Sequence, residues 1–445
     1  MGLLQVHSFV AGQWAAPAGD VVPLHNAFTG ALIGHASAGA PDVAAMYDHA
    51  LATGGPALRA MTFHDRARML KALAQYLSAR KNELYELSYL TGATKSDSWI
   101  DIDGGIGTTF VFASKGRREM PDAHVYLDGD VEMLSRHGSF VGQHVCTPLQ
   151  GVAVHINAFN FPVWGMLEKL APTLLAGMPA IVKPATVTGY LTEAAFRMII
   201  ESGLLPDGAV QLVSGRLGPL LDMLGPQDAV SFTGSAVTGV MLRGTPNLLE
   251  RSVRFSAEQD SLNATILGPD VMVGDPEFDL FIKEAAGEIT AKAGQKCTAV
   301  RRILVPEALR QPVAEALRAA LDDVAIGDPR LKEVGMGALA SGGQKQDVLA
   351  KCEMFKGEAR CIIGGEAPRL TGEDLAGGAF VAPTIFDCAN PDGATHLHEQ
   401  EAFGPVACLM AYREPGHAAV LSNRGGGALV TSVVTRDREV AHSLV

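Results

Sequence analysis

The stretch Gly151-Val-Ala-Val-His-Ile-Asn157 is a short, largely apolar run of the kind that forms a buried β-strand. Similar runs alternate with helical segments further along the chain: strands at 179–183, 209–213 and 229–233, and helices at 163–175, 188–202 and 218–224. Strands and helices that alternate at this spacing indicate βαβ units and a parallel sheet. The sequence therefore predicts an α/β fold.

The segments on both sides of this region extend the prediction. Before it, apolar residues recur at helical spacing from Phe63 to Arg80, and residues 137–150 are β-prone and polar enough to leave the main body. After it, a second α/β stretch runs from about Leu262, with a helix over 278–293 and a strand over 302–305. We predict a parallel-sheet domain formed by 1–136 and 151–261, an excursion at 137–150, and a second α/β domain at 262–445.

Composition narrows the class of protein. The chain has 445 residues, 47% of them hydrophobic, and a net charge of −12, which argues against nucleic acid or an anionic membrane as its main partner. Its six cysteines are widely scattered, without a paired spacing or a Cys/His cluster, so we expect no structural metal and a reducing, cytoplasmic location. No signal peptide and no apolar run long enough for a membrane span is visible.

Cys297 lies in the stretch Ala293-Gly-Gln-Lys-Cys-Thr298, just after the predicted helix. Lys292, Lys296, Arg301 and Arg302 surround it in the sequence, and a positive field favours the reactive thiolate. A buried structural thiol is the competing interpretation, because cysteine is among the residues most often found in protein cores. The cysteine alone does not decide between the two.

Two features at predicted strand ends could bind a dinucleotide. Phe232-Thr-Gly-Ser-Ala-Val-Thr-Gly239 joins a strand to a helix, and the N–H groups there, at Gly234 and Ser235, could approach a pyrophosphate. An ordinary strand–turn–helix junction would look the same, since the spacing is not G-x-G-x-x-G. Lys183, at the end of another strand, could meet an adenosine ribose or phosphate, or could be a solvated loop residue.

Two further polar residues could take part in catalysis. Glu258 follows a strand-like run and could act as a general base for water, although most glutamates simply lie on the surface. Asn160, in Asn157-Ala-Phe-Asn-Phe-Pro162, could donate a hydrogen bond to an oxyanion, although asparagine before Phe-Pro is also a common turn residue.

Taken together, these segments resemble the aldehyde dehydrogenase superfamily in order and rough spacing. The matching motifs are Asn157-Ala-Phe-Asn-Phe-Pro162, Ile181-Val-Lys-Pro184, Phe232-Thr-Gly-Ser235, Gly294-Gln-Lys-Cys297 and Glu401-Ala-Phe-Gly-Pro-Val406. Ser98-Trp-Ile-Asp-Ile-Asp-Gly-Gly105 and Trp164-Gly-Met-Leu-Glu-Lys-Leu170 are similar to one branch of it. That branch is the aldehyde dehydrogenase domain of bifunctional phenylacetate ring-cleavage proteins, with dehydroadipyl-CoA semialdehyde dehydrogenase as a near relative.

The resemblance implies a Rossmann-type dinucleotide-binding domain at 1–136 and 151–261, a bridging or oligomerisation hairpin at 137–150 and a catalytic domain at 262–445. It also implies a role for each matched residue. Cys297 would be the nucleophile, Asn160 would hold the oxyanion, and Glu258 would be the general base. Glu401 and Phe403 would hold the nicotinamide ribose and ring, and Lys183, Gly234 and Ser235 the adenosine ribose and pyrophosphate.

Departures from the family pattern refine the expected activity. Thr186 replaces a glutamate that chelates the ribose hydroxyls in many NAD-preferring members, so we expect NADP to be preferred and NAD accepted as an alternative. Gln259-Asp-Ser-Leu262 replaces the usual Leu-Gly-Gly-Lys after Glu258. Glu258 itself is present, whereas CoA-acylating relatives usually lack this base, which favours release of a free acid.

The resulting hypothesis is NADP-dependent oxidation of a CoA-linked semialdehyde from aromatic-ring degradation. The alternatives are a general aliphatic or aromatic aldehyde dehydrogenase and a non-catalytic, truncated nucleotide-binding relative. The final run Arg438-Glu-Val-Ala-His-Ser-Leu-Val445 reads as a helix without a cap. We therefore expect the chain to stop short of the family's C-terminal strand, and we expect a homo-oligomer for the full-length family form.

Overall fold

The computed structural model describes residues 2–17 and 19–444. Its strands are β1 (Leu4–Gln5), β2 (Ser8–Val10), β3 (Gln13–Ala15), β4 (Val21–His25), β5 (Leu32–Ser37), β6 (Tyr126–Met133), β7 (Val141–Cys146), β8 (Ala153–Ile156), β9 (Ala180–Lys183), β10 (Val210–Leu212), β11 (Ala229–Thr233), β12 (Arg254–Glu258), β13 (Asn263–Leu267), β14 (Val300–Pro306), β15 (Ile326–Gly327), β16 (Arg360–Ile363), β17 (Leu370–Thr371), β18 (Thr384–Cys388), β19 (Val406–Tyr412) and β20 (Thr431–Val434).

The helices are α1 (Val43–His49), α2 (Gly55–Arg59), α3 (Phe63–Arg80), α4 (Asn82–Ser88), α5 (Lys95–Arg118), α6 (Pro162–Leu175), α7 (Gly189–Glu201), α8 (Leu220–Met223), α9 (Ala236–Arg243), α10 (Pro246–Glu250), α11 (Pro276–Thr290), α12 (Arg310–Asp322), α13 (Gly342–Phe355), α14 (His396–Glu399), α15 (Pro415–Asn423) and α16 (Arg438–Leu444). Short 3-10 turns occupy Tyr89–Thr91, Thr186–Thr188, Ala291–Gly294 and Glu307–Leu309, and a π-helical turn occupies Ala50–Gly54. No helix among the described residues has the length and apolar character needed to cross a bilayer.

The described residues fall into two compact units. The first comprises Met1–Leu24, Ile33–Leu87 and Ser98–Gln259, and the second comprises His25–Leu32, Ser88–Asp97 and Asp260–Val445. Both are built on sheets that are mainly parallel, so the α/β fold predicted from the alternating segments is confirmed.

The first unit is organised around a seven-stranded sheet with the order β12-β11-β8-β9-β10-β2-β3. The strands from β12 to β10 are parallel, and β2 and β3 are antiparallel. All four residues of β8 are buried, and its Val154 and Ile156 pack in one core with apolar residues of α1 and α8. Because β8 lies between β9 and β11, the ends of all three strands meet at one edge of the sheet.

An antiparallel hairpin of β6 and β7 forms a separate two-stranded sheet. It begins earlier than the segment 137–150 in which the sequence predicts an excursion, because the first strand already starts at Tyr126. Most of its residues are exposed, and these include large apolar side chains such as Leu127, Met133 and Phe140.

The second unit contains a six-stranded sheet with the order β16-β18-β19-β14-β13-β20, in which every pair except β16–β18 is parallel. Alternate residues of its central strands pack into two different hydrophobic cores. Leu304 and Met410 belong to the core on one face, and Ile303 and Leu409 to the core on the other. Burial on both faces explains the unbroken apolar runs at 303–305 in β14 and 406–411 in β19.

Two short segments that the sequence analysis assigns to the first domain, 25–32 and 88–97, lie in the second unit. The N–H of Ala27 donates to the carbonyl of Leu90, and Phe28 is buried in a core of the second unit. The carboxylate of Asp97 accepts a hydrogen bond from the N–H of Lys292 at 2.7 Å. These contacts join residues far apart in sequence, so local pattern carried no sign of them.

Candidate active site

In the first unit, several predicted site residues lie at the carboxyl ends of adjacent parallel strands. Lys183 ends β9, Glu258 ends β12, and Gly234 directly follows β11. Glu258 pairs in register with Thr233, and the N–H of Gly234 donates to the backbone carbonyl of Glu258 at 3.1 Å. This is the edge at which open α/β sheets bind ligands.

Lys183 is half-buried, and its ammonium group donates to the carbonyl of Pro184 at 3.0 Å. Burial lowers the pKa of this ammonium group. A cation held at the edge of the sheet in this way suits an anionic or polyhydroxyl ligand. Thr186 opens the 3-10 turn that leads from β9 into α7, so it lies three residues beyond the lysine at the same edge.

The turn between β11 and α9 is built by Gly234 and Ser235. The Ser235 hydroxyl caps α9 by accepting a hydrogen bond from the N–H of Thr238, and the residue is exposed. This helix start, with its backbone N–H groups at the carboxyl edge, has the geometry that binds phosphate groups.

Asn160 lies in the loop between β8 and α6 and is 8% exposed. Both ends of the loop are anchored. The carboxylate of Asp101 accepts hydrogen bonds from the N–H groups of Val163 and Trp164, and the hydroxyl of Thr188 donates to the carbonyl of Phe159. The loop that carries Asn160 is therefore held by Asp101 at the start of α6 and by Thr188 in the 3-10 turn before α7.

In the second unit, Cys297 lies between α11 and β14 in a loop of residues 291–299, here named the Cys297 loop. Three consecutive residues of this loop, Lys292, Ala293 and Gly294, have φ of 53°, 51° and 69°. The left-handed region is unfavourable for side-chain-bearing residues. The predicted helix over 278–293 accordingly stops at Thr290. Cys297 itself is half-buried, and its carbonyl accepts a hydrogen bond from the amide of Asn263 at 2.8 Å.

Two of the four basic residues near Cys297 in the sequence are paired with carboxylates. Lys296 forms an ion pair with Glu288 at 2.5 Å, and Arg301 forms one with Glu401 at 2.9 Å. Arg302 is fully buried and donates to the carbonyls of Leu262, Leu421 and Ser422. The positive field expected from sequence neighbours is therefore reduced, because paired carboxylates offset two of the four cations.

Glu401 and Phe403 lie on the loop that leads into β19. Glu401 is 5% exposed, and its carboxylate accepts hydrogen bonds from Nε of Arg301 and from the N–H of Ser261. Burial raises the pKa of the Glu401 carboxyl group, and the Arg301 guanidinium opposes this. The same guanidinium lies 5.4 Å from the centre of the Phe403 ring. The second unit thus links Glu401 and Phe403 to the Cys297 loop.

Sequence reasoning missed three residues that support these positions: Asp97, Asn263 and Arg301. Asp97 and Asn263 act through hydrogen bonds to partners that are remote in sequence, so no local signal could reveal them. Arg301 did carry a signal. It belongs to a strand whose first six residues are all buried, and a charged residue in such a strand needs a buried partner.

Within residues 2–17 and 19–444, no group of three or more His, Cys, Asp or Glu side chains is arranged to hold a metal ion.

Comparisons with known proteins identify the family. Residues 14–445 match the aldehyde dehydrogenase family. The chain is 40% identical to 3,4-dehydroadipyl-CoA semialdehyde dehydrogenase of Aromatoleum evansii, over 99% of this chain and 86% of the relative. It is 29% identical to alpha-ketoglutaric semialdehyde dehydrogenase of Bacillus subtilis strain 168, over 97% of this chain and 85% of the relative.

Solved structures agree in fold. Betaine aldehyde dehydrogenase from Staphylococcus aureus in complex with NAD+ superposes with a TM-score of 0.84 at 23% identity, covering 99% of this chain and 85% of that one. An aldehyde dehydrogenase C mutant from Pseudomonas syringae, complexed with NAD+ and octanal, gives 0.83 at 22% identity, covering 98% and 86%. Together with the family match over nearly the whole chain, these findings show that this protein belongs to the aldehyde dehydrogenase family of oxidoreductases.

Proposed function

We propose that the protein oxidises a CoA-linked semialdehyde to the free carboxylic acid with NADP as oxidant, through a thioester on Cys297. One observation carries the proposal from the geometry. The loop that bears Cys297 and the loop that bears Glu401 and Phe403 are bonded to each other within one unit, through Arg301. A nucleophile is thereby fixed beside the two residues that the resemblance assigns to the nicotinamide end of the cofactor.

The chemistry assigned to the residues proceeds in two stages. In the first, the Cys297 thiolate attacks the aldehyde carbon, and the Asn160 amide donates a hydrogen bond to the oxyanion that forms. Loss of hydride from that carbon leaves a thioester, and NADP, when bound, supplies the hydride acceptor. In the second stage, Glu258 takes a proton from water, which attacks the thioester carbonyl and releases the acid and the thiolate.

The residues at the carboxyl edge of the first unit fit a dinucleotide. Lys183 would hold the adenosine ribose, and the turn at Gly234 and Ser235 would hold the pyrophosphate. Glu401 and Phe403, which belong to the second unit, would hold the nicotinamide ribose and ring. The half-buried ammonium group of Lys183 supports this fit, because it is a cation that donates to the neutral carbonyl of Pro184. Thr186 supports NADP as the preferred form, since a hydroxyl does not repel the 2′-phosphate as a carboxylate would.

Thr186→Glu tests the cofactor preference. The added carboxylate should lower kcat/KM for NADP by at least about tenfold through charge repulsion, and leave kcat/KM for NAD unchanged or improved. Thr186→Val is the matched control, because it removes the hydroxyl without adding charge and should keep most of the preference. Initial rates with each cofactor, read from the absorbance of the reduced nicotinamide, decide the matter. An unmodified protein that prefers NAD would overturn the assignment.

The substrate class rests on the relative that shares 40% identity, whose name specifies a CoA-linked semialdehyde. The 29% identical relative acts, by its name, on alpha-ketoglutaric semialdehyde, which supports a carboxylated aldehyde without CoA as the second candidate. A panel of semialdehydes prepared with and without the CoA moiety separates the two. We expect kcat/KM to be highest for the CoA thioesters. Equal or higher values for the aldehydes without CoA would favour the second candidate.

The role of the hairpin formed by β6 and β7 is also proposed. Its exposed apolar residues, among them Met133 at 63% and Phe140 at 63% exposure, support a role in homo-oligomer assembly. Light scattering of the unmodified protein and of Phe140→Glu tests this, and we expect the substitution to lower the oligomer mass. The scattered cysteine spacing supports a cytoplasmic place of action.

A further inference from the structure

Arg301 is held by an unusually complete set of contacts inside the second unit. Its Nε donates to Glu401 at 3.0 Å, and its Nη1 donates to the carbonyl of Gly404 at 2.8 Å. Its Nη2 donates to the carbonyl of Gly294 at 2.9 Å. The side chain is 4% exposed, as is that of Glu401. All three guanidinium nitrogens therefore donate hydrogen bonds to the two loops.

The two loops that Arg301 joins are those of the proposed active site. Gly294 belongs to the Cys297 loop, three residues before the thiol. Glu401 and Gly404 flank Phe403, over whose ring the guanidinium lies. The backbones also approach closely, since a Cβ on Gly294 would come within 2.1 Å of the Gly404 carbonyl oxygen. Beside this approach, Arg301 bonds the carbonyls of Gly294 and Gly404 and forms its ion pair with Glu401.

The carboxylate of Glu401 is oriented from both sides. One oxygen accepts from Arg301, and the other accepts from the N–H of Ser261 at 3.1 Å. A carboxylate buried to this degree would rotate or take up a proton without a cationic partner. A lysine could supply charge, but a single ammonium group could not bond Glu401, Gly294 and Gly404 in the planar arrangement of a guanidinium.

We propose that Arg301 is a positioning residue, which orients the Glu401 carboxylate and fixes Glu401 and Phe403 relative to Cys297. It contacts neither substrate nor cofactor, and it acts through the two loops that it joins. This inference rests on the proposed function, in which Glu401 and Phe403 hold the nicotinamide end of the cofactor. Arg301 therefore affects how tightly the nicotinamide end of the cofactor binds, and it has little effect on binding of the aldehyde.

Kinetics of Arg301→Met and Arg301→Lys test the inference. We expect both to raise KM for NADP by roughly tenfold or more, since a charged hydrogen bond and two loop contacts are lost. KM for the aldehyde should change by less than about threefold. Glu401→Gln should also raise KM for NADP more than KM for the aldehyde, because it removes the carboxylate that Arg301 orients.

Arg310→Met is the matched control. Arg310 forms an ion pair with Asp387 at 2.6 Å in the same unit, outside the proposed site. Its loss should leave both KM values within about twofold of the unmodified protein, whatever it does to the melting temperature. Where Arg301→Met lowers the folded fraction, Arg301→Lys decides, because it retains the charge.

The outcomes separate the inference from the function on which it rests. An unmodified protein that oxidises no aldehyde with either cofactor overturns the proposed function. If the unmodified protein is active and both Arg301→Lys and Arg301→Met keep its KM for NADP within about twofold, the inference alone is overturned. Equal increases of both KM values also overturn it, since they indicate general damage to the site.

Discussion

Asn263 shows how completely the backbone at Cys297 is held before any substrate binds. Its amide nitrogen donates to the carbonyls of Cys297 and Ala299, at 2.8 and 2.9 Å. Its oxygen accepts from the Ser261 hydroxyl and from the N–H groups at 429 and 430. A buried amide with every position used fixes its neighbours, because any movement would leave a polar group unpaired. Asn263 therefore fixes the backbone from which the Cys297 thiol projects.

Asn263→Asp should damage the site with little change in shape. The new carboxylate keeps the acceptor oxygen but cannot donate to the Cys297 and Ala299 carbonyls, and it adds a buried negative charge near the thiol. We expect the free energy of unfolding to fall by about 2 kcal/mol. The charge should also disfavour the thiolate, so alkylation of Cys297 by iodoacetamide should slow by roughly tenfold. Denaturant titration and peptide mass mapping measure the two effects.

Asn247→Asp is the matched control for this substitution. The Asn247 amide also donates to two backbone carbonyls, those of Leu221 and Leu224, both at 2.9 Å, but it lies in the first unit. Asn247→Asp should lower the free energy of unfolding and leave the rate of Cys297 alkylation unchanged. If Cys297 were alkylated as fast in Asn263→Asp as in the unmodified protein, the proposed effect of Asn263 on the Cys297 thiol would be wrong.

The Cys297 loop owes its shape to contacts made outside α11. Left-handed backbone at Lys292 and Ala293 costs roughly 1–2 kcal/mol per residue. The Asp97 carboxylate bonds the N–H of Lys292, and the Thr91 hydroxyl accepts from its ammonium group at 2.8 Å. The Gln295 amide ties the loop to the N–H of Ala340. The segment 88–97 and the neighbourhood of Ala340 thus hold the loop in an otherwise unfavourable conformation.

Gly294→Ala tests how tightly this loop is constrained. Its φ of +69° disfavours any side chain, and the new Cβ would lie 2.1 Å from the Gly404 carbonyl oxygen, so the two loops must separate. We expect stability to fall by more than about 1 kcal/mol and kcat to fall by at least about tenfold. Thermal melting and steady-state rates give the two quantities.

Gly287→Ala provides the comparison within the same region. Gly287 lies inside α11, and nothing is within 4 Å of the position its Cβ would take. The substitution should leave activity unchanged and stabilise the helix by about 0.5–1 kcal/mol. Normal turnover in Gly294→Ala would contradict the close packing of the Cys297 loop on the loop at Gly404.

The contrast between two helices shows what the sequence could predict. The structure confirms α3 from Phe63 to Arg80, because its start depends on a local capping box in which Thr62 and Asp65 bond each other's backbone. The end of α11 was predicted three residues too late. The residue that ends it, Asp97, is 195 positions from Lys292 in the sequence, so only the tertiary structure holds that information.

The same distinction applies to the candidate site. Lys183, Gly234 and Glu258 could be predicted to share a sheet edge, since the ends of parallel strands meet there. Arg301 was interpreted as a source of positive field for Cys297. Its actual partner, Glu401, is 100 positions away, and nothing in the local pattern pairs the two.

Buried histidines in both units make the stability of the molecule depend on pH. Burial lowers the pKa of His155 to about 3 and that of His398 to about 4. Both stay neutral in the folded state, whereas in the unfolded chain they protonate near pH 6.5. The contribution of these two histidines to the free energy of unfolding is therefore complete above pH 6.5 and is lost as the pH falls below that value. We expect each to reduce the free energy of unfolding by about 2 kcal/mol between pH 7.5 and pH 5.

His398→Gln isolates one of these contributions. Nδ1 of His398 accepts a hydrogen bond from Arg302 at 3.1 Å, and Nε2 donates to the Pro391 carbonyl at 3.0 Å. A glutamine side chain can also accept and donate, and it does not titrate. Denaturant titration at pH 7.5 and pH 5 should show that the free energy of unfolding falls less between these pH values in His398→Gln than in the unmodified protein. An identical loss in the two proteins would contradict the assignment of His398.

Acylation of Cys297 is the central claim for the whole protein, and intact mass measurement of Glu258→Gln tests it most directly. In this variant the thioester should form and then persist, because the proposed base for water is absent. After mixing with NADP and a CoA-linked semialdehyde, the protein should gain the mass of one acyl group, which peptide mapping assigns to Cys297. The adduct should be missing from Cys297→Ala/Glu258→Gln. No mass gain in Glu258→Gln, or an adduct on another residue, would contradict the account.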